Sequence, residues 1–297
     1  MKISILTATY NRGEYLKRLY KSIVNNIGQD YEIEWLIMDD GSTDSTENVC
    51  NLFQNERGLK ILYFKQENQG KMNAINNLSK YVDGDLWIEC DSDDYFIEGS
   101  LKKIVTTYNN YDKKSEIYAL AFLKYDQNGN NMGNNFKSNE NTMFNLYFKD
   151  GEDGEKALVF ITDVRKKYRY ELEKNEKFVT EARLYHKMDK QYYILCINEP
   201  IMVCEYQNNG YTKNINKQFL SNPFGYYSYF YEILKDMDTS HILFSKRLYV
   251  VKHYILFTYL TKNKLNMNVK GLKNKLLILI LYIPGIIKSR KFKKSSK

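Results

Sequence analysis

Cysteine is scarce: Cys50, Cys90, Cys196 and Cys204 are the four thiols in 297 residues. They form no CxxC pair and have no histidine at zinc spacing, which argues against a zinc site or a disulfide framework. They read as reduced core thiols of a cytoplasmic protein. No segment reaches the length of a membrane-spanning helix. The first apolar run, Ile3 to Thr9, is interrupted by Arg12 and Glu14 and so reads as a strand rather than a signal peptide. Internal repeats and low-complexity linkers are absent, as is the GxxxxGK[ST] phosphate loop. Tyr95 stands where a calcium EF-hand after Asp91 would need an oxygen ligand, and Phe96 where it would need glycine.

What is present is an ordinary globular composition. At 43% hydrophobic the chain can bury a sizeable core, in one large domain or two small ones. The formal charge is +8, and much of it sits in Lys288, Arg290, Lys291, Lys293, Lys294 and Lys297. That placement suits an anionic surface better than a nucleic-acid groove, so no nucleic-acid partner is expected.

Strand and helix patterns alternate from the start. Ile3 to Thr9 reads as a buried strand, and Glu14 to Asn26 as a helix with Leu16, Leu19, Tyr20 and Ile23 on one face. The turn between them, Thr7-Ala8-Thr9-Tyr10-Asn11-Arg12-Gly13, offers backbone N–H groups, an aromatic face and a cation; a helix cap at Asn11 beside a surface arginine is the plainer alternative. Glu34 to Met38 is a second strand, running into Asp39-Asp40-Gly41-Ser42, with Asp44 and Glu47 at capping-box spacing. Capping leaves Asp39 and Asp40 unexplained, because adjacent carboxylates at a strand end need hydrogen-bond donors, such as a base N–H or ribose hydroxyls. Lys60 to Lys65 is a third strand, and Gln69-Gly70-Lys71 opens a helix with Lys71 able to meet a diphosphate.

The fourth strand, Trp87-Ile88-Glu89, ends in Cys90-Asp91-Ser92-Asp93-Asp94. Carboxylates on a strand end can hold Mg²⁺ or Mn²⁺ against a phosphorylated ligand. A solvated acidic turn and a helix cap at Asp94 are the alternatives, and the cap leaves Asp91 and Asp93 without a role.

Taken in order, Thr7 to Arg12, Asp39 to Ser42, Gln69 to Asn76 and Asp91 to Asp94 resemble the nucleotide-sugar half of family 2 glycosyltransferases with the GT-A fold. The likeness is strongest over the first hundred residues. It implies an α/β fold, a doubly wound, mostly parallel Rossmann-like sheet with a C-terminal helical extension. Residues 1–110 would be the nucleotide-sugar half, 111–215 the acceptor half of the same domain, and 216–297 a basic helical region. The resemblance also implies that Thr7, Tyr10, Arg12 and Asp40 contact base and ribose, with Asp39 in support. The DxD motif matches Asp91-Ser92-Asp93, making Asp93 the implied metal ligand, with Asp91 facing the ribose or a metal-bound water and Asp94 behind them. The implied cofactor is a divalent metal, Mn²⁺ or Mg²⁺.

The implied reaction is transfer of a hexose, with inversion, from a nucleoside diphosphate sugar, UDP-linked by preference, to a hydroxyl of a glycan or lipid-linked glycan. Breaking the anomeric bond develops charge on the leaving phosphate, which a metal and Lys71 stabilise. The acceptor needs a base, and Glu181, in Thr180-Glu181-Ala182-Arg183, aligns with the family's usual one. Family members often carry Glu-Asp where this chain has Thr180-Glu181; Glu171, Glu173 and Glu176 are the fallbacks, and a purely electrostatic role at a helix start is the alternative.

Further along, Tyr192 to Ile197 and Ile201 to Tyr206 read as two strands about an Asn198-Glu199-Pro200 turn. Tyr206 to Asn214 resembles a loop that covers the donor in some relatives. The run Leu276 to Ile283 is too short to span a bilayer and precedes Pro284-Gly285, which is expected to break it. Beside its basic tail it reads either as an element at an anionic membrane surface, peripheral on the inner face of the plasma membrane, or as a buried C-terminal helix. Two other functional classes are a nucleotidyltransferase, disfavoured by Ala8-Thr9-Tyr10-Asn11-Arg12 in place of a Gly-rich loop, and a non-catalytic nucleotide- or glycan-binding module.

Overall fold

A computed structural model describes residues 1–54, 59–173, 176–205 and 215–295. In chain order the elements are β1 (Lys2–Thr9), α1 (Gly13–Val24), β2 (Glu32–Asp39), α2 (Thr46–Gln54), β3 (Lys60–Lys65), α3 (Lys71–Leu78), β4 (Leu86–Glu89), β5 (Tyr95–Phe96), α4 (Ser100–Asn109), β6 (Ile117–Tyr125), β7 (Glu140–Asn141), α5 (Met143–Phe148), β8 (Lys156–Ile161), α6 (Thr162–Arg165), α7 (Glu181–Met188), β9 (Tyr193–Val203), α8 (Ile215–Ser221), α9 (Pro223–Asp236), α10 (Phe244–Thr261) and α11 (Leu272–Ser295). They pack as two units: Met1–Thr142 with Glu152–Arg169 and Gln191–Gln207, and Met143–Gly151 with Tyr170–Lys190 and Asn208–Lys297. The chain crosses between the units several times.

The first unit holds the sheet, in the order β3-β2-β1-β4-β8-β6-β9-β5, with β7 on β9. β1, β2, β3 and β4 are mutually parallel where they pair. Their sequences read as continuous apolar runs because helices cover both faces of such a sheet. Ile3, Ile5, Leu6, Leu36, Ile37, Leu86 and Ile88 are all buried, and α1 adds Leu16, Leu19 and Ile23. Each large aliphatic residue so buried contributes roughly 1.5–3 kcal/mol. Strand order reverses direction at β1, with β2 on one side and β4 on the other, and such a switch point opens a crevice at the carboxyl ends of the strands. Beyond β4 the sheet is mixed: β8 is antiparallel to β4 and β6, while β6 and β9 are parallel.

β4 is anchored from behind. Arg165, fully buried, lies 2.8 Å from Glu89 and stacks over the Trp87 ring at 4.6 Å. This pair fixes the strand from which the acidic turn emerges.

Three local expectations are corrected. Asn198-Glu199-Pro200 is not a turn between two strands: β9 runs straight through, with a register shift where Ile197 faces Phe122 and Pro200 faces Leu123. Asn198 takes the place of ladder bonds by accepting from the Phe136 N–H at 2.7 Å and donating to its carbonyl at 3.0 Å, which leaves proline at an irregularity that a missing N–H tolerates. The Asp44–Glu47 capping box does not close either; Asp44 accepts from the Thr46 N–H at 3.0 Å, whereas Glu47 pairs with Lys65 at 2.5 Å. Finally, Pro284-Gly285 does not end the last helix, and α11 continues through it to Ser295.

The second unit is helical, as the aromatic cluster and the later periodicity imply. Phe230, Ile233, Val250, Val251, Tyr254, Phe257 and Ile278 form its core. Buried Arg247 is held by the Asn274 side chain at 2.6 Å, and Glu176 caps α9 by accepting the Phe224 and Gly225 N–H groups at 2.7 Å each.

Candidate functional site

The carboxyl ends of β1 to β4 bring their loops together, and hydrogen bonds tie those loops into one surface. Asn11 adopts a left-handed backbone, φ 52°, and its side-chain carbonyl accepts the Thr43 N–H at 2.8 Å, while its own N–H donates to Ser42 at 2.8 Å. It therefore joins the first loop to the second and does not cap α1. Tyr10 projects from this turn, about half exposed. Gly41, at φ 83°, is required twice over, because a Cβ there would sit 3.1 Å from the Asn68 nitrogen as well as strain the backbone.

Asp39 and Asp40 find their donors inside the protein. Asp39 accepts from the Ser42 N–H at 2.7 Å and from the Tyr63 hydroxyl at 2.8 Å. Asp40 accepts from the Gln66 amide and from the Gln69 and Gly70 N–H groups, each at 2.8 Å. A ligand is thus not needed to account for adjacent carboxylates here. Asp40 shapes the loop that starts α3, where Gly70 at φ 91° leads into Lys71. The Thr7 side chain is fully buried and accepts the Trp35 indole N–H at 3.0 Å.

The acidic turn sets Asp94 apart from Asp91 and Asp93. Asp94 donates its N–H to the Asp91 carbonyl at 3.1 Å, closing a tight turn that sends the three side chains to different cations. Asp91 meets Lys71 at 2.6 Å, Asp93 pairs with Arg12, and Asp94 turns inward onto Lys124 at 2.8 Å. Asp91 is 46% exposed and Asp93 15%, against 3% for Asp94. Only the first two can reach a ligand.

Electrostatics separates them further. Burial pushes Asp93 above its ordinary value, with Asp91 and Asp94 adding to it, and the pull of Arg12 only partly offsets them. For Asp91 burial acts in the same direction, but Lys71, Lys124 and Arg12 outweigh it and hold the carboxyl low. Lys124 stays charged because Asp94 and Glu155 overcome its own desolvation. Burial raises the Cys90 and Cys204 thiols, which disfavours the nucleophilic thiolate form.

Among the described residues no group of three or more His, Cys, Asp or Glu side chains is arranged to hold a metal ion. The donor chemistry nevertheless fits Mn²⁺ or Mg²⁺, which are commonly held by one or two carboxylates with substrate phosphates completing the shell. Asp91 and Asp93 are two such carboxylates.

Lys124 and Arg18 are the residues that motif reading misses. Arg18 donates to the Asp93 carbonyl at 2.7 Å, pairs with Glu205 and stacks over Tyr95 at 4.5 Å, clamping the acidic turn from α1. Lys124 ends the apolar run of β6, and a lone lysine after Ile117 to Leu123 is the only signal it gives.

In the second unit Glu181 is partly buried as the first residue of α7. The fallback carboxylates are committed elsewhere: Glu171 to Lys187 at 2.5 Å, Glu173 to Ser228 at 2.8 Å, and Glu176 to the start of α9. The segment 206–214, expected to cover a donor, lies outside the described residues.

Residues 4–169 match the family Glycosyl transferase family 2. The uncharacterized glycosyltransferase MG060 of Mycoplasma genitalium is 34% identical over 128 residues, 42% of this chain and 42% of that protein. The chain spans less than half the length of such curated relatives. Among solved structures, residues 1–349 of TarS from Staphylococcus aureus in complex with UDP-GlcNAc superpose with a TM-score of 0.58 at 15% identity, covering all of this chain and 93% of that one. A mannosyltransferase from Pyrobaculum calidifontis, in complex with GDP-Man and Mn²⁺, gives 0.53 at 12% identity, covering 98% and 84%. At such identities these likenesses speak for the fold, GT-A with a helical C-terminal region.

Proposed function

We propose that this chain, which belongs to glycosyl transferase family 2, is a nucleotide-sugar glycosyltransferase that moves a hexose, with inversion, from a UDP-linked donor to a hydroxyl of a glycan or lipid-linked glycan in polysaccharide biosynthesis. The observation that carries the reading is the gathering of Tyr10, Arg12, Lys71, Asp91 and Asp93 at one sheet edge, with both carboxylates ion-paired yet partly exposed. The choice of UDP is favoured by the TarS structure with UDP-GlcNAc, and that of a divalent metal by the mannosyltransferase structure with Mn²⁺.

In this proposal the base stacks on Tyr10, while Asp39 and Asp40 hold the loops that border the nucleotide. Lys71 and Arg12 leave Asp91 and Asp93 and turn to the diphosphate, where negative charge develops as the bond from the anomeric carbon to the phosphate oxygen breaks. Asp93 and Asp91 would hold a Mn²⁺ or Mg²⁺, which would supply further positive charge to the leaving diphosphate. The acceptor oxygen attacks from the opposite face, its proton passes to Glu181, and the bonding pair leaves with the nucleoside diphosphate. A lipid-linked acceptor would be met at the cytoplasmic face of a membrane.

The test is release of the free nucleotide from a panel of UDP- and GDP-sugars with Mn²⁺ present, for the native chain and for Asp93→Ala and Glu181→Ala. Loss of turnover in both variants is expected. Turnover unchanged in both would refute the assignment, and release of pyrophosphate would point to nucleotidyl transfer instead.

A further inference from the structure

Residues 239–297 contain fourteen lysines and arginines and no aspartate or glutamate. Within them α11 has two apolar faces. One is buried: Asn274, Ile278 and Ser289 are shut in, Gly285 lies so close to Ile255 that a Cβ would approach it to 2.7 Å, and Leu281 and Phe292 pack on the same core. The other is open. Leu272, Leu276, Leu279, Ile280, Ile283 and Ile287 recur every three or four residues along one stripe, each between 49% and 71% exposed.

Scattered exposed leucines are normal, but a continuous stripe of six marks an interaction surface. At 100° per residue, Lys273, Lys288 and Lys291 fall on one flank of the stripe and Lys275 on the other, all exposed. An apolar strip edged by lysines on both sides suits a bilayer interface, with the aliphatic side chains among the acyl chains and the ammonium groups at anionic headgroups. Spanning is excluded for the described helices, none of which is long and apolar enough. A second copy is a poor occupant, because two such faces would oppose lysine to lysine with no acidic residue on α11 to pair them.

We propose that the open face of α11 docks on an anionic phospholipid surface. This inference does not depend on sugar transfer, and its test needs no donor. Flotation of the full chain is measured with vesicles of phosphatidylglycerol mixed into phosphatidylcholine and with phosphatidylcholine alone. Binding to the mixed vesicles is expected, weakened by salt, and it should fall at least about tenfold in Leu279→Gln/Ile283→Gln. The control Leu52→Gln, on an exposed leucine of the other unit, should bind as the native chain does. As a second measure, Ile283→Trp should show a blue-shifted emission on the mixed vesicles, against a constant background because Trp35 and Trp87 are fully buried. No binding to the mixed vesicles, equal binding by the double variant, an unshifted Ile283→Trp emission, or a solution dimer that the double variant dissolves would each overturn the proposal.

Discussion

The two edges of the parallel sheet carry acidic residues paired with cations, yet they are built to different ends. At the amino edge Glu34 is fully buried and takes four donors: Ser4 at 2.6 Å, Lys2 and Lys60 at 2.9 Å each, and the Asp83 N–H at 3.0 Å. At the carboxyl edge Asp91 pairs with Lys71 and Asp93 with Arg12, and both remain partly open. A carboxylate enclosed by many donors is part of the framework, whereas a partly open one can change partners. Paired charge alone therefore does not distinguish structure from function; enclosure does.

Removing Glu34 should show this most strongly. Glu34→Ala leaves two lysines and a serine without their shared acceptor, and a fall of about 3–5 kcal/mol in unfolding free energy is expected by denaturant titration, with turnover per folded molecule unchanged. Asp93→Asn should do the reverse: a loss of about 10²–10³-fold in kcat/KM with unfolding free energy within roughly 1 kcal/mol of native. A stable, active Asp93→Asn would erase the contrast between the edges. Lys71→Ala is expected to lower kcat/KM by about 10–100-fold, the smaller figure because Arg12 remains.

Acid should also act on the framework edge. Although burial opposes it, hydrogen bonds from Ser4, Lys60 and Lys2 hold Glu34 at about 2, below its ordinary 4.5. A lowered carboxyl stabilises the fold above its unfolded value, so this contribution, on the order of 2 kcal/mol, is present at pH 5 and lost as pH falls from 4.5 toward 2. The difference between native chain and Glu34→Gln across that range isolates it. His186 in the other unit, pushed down to about 3 by burial, loses its contribution over a higher window, from 6.5 toward 3. The smallest change expected is for Tyr10→Ala, about a tenfold rise in KM for the donor from lost stacking, with kcat little altered.

Much of this was legible in the sequence because the first four strands are local. Each apolar run ends in its own loop, and parallel strands joined by helices must set those loops on one edge. What was not legible depends on contacts between distant residues. Asp39 and Asp40 look unsatisfied until Tyr63, Gln66 and Gly70 fold back on them. Asp94 reads as a support behind the pair or as a helix cap, and only Lys124, thirty residues on, shows what it holds. Thr7 belongs to a motif by order but to the core by strand alternation. Pro284 reads as a helix breaker, yet the flanking turns pack on α10 and carry the helix across it.

The central claim is that Asp91 and Asp93 exchange their cationic partners for a metal-bound diphosphate. Calorimetric titration of UDP and of GDP into the native chain and Asp93→Asn, each with and without Mn²⁺, addresses it most directly. One nucleotide should bind the native chain roughly tenfold more tightly with Mn²⁺, and Asp93→Asn should abolish that gain. Binding of neither nucleotide, or a Mn²⁺ gain that persists in Asp93→Asn, would contradict it.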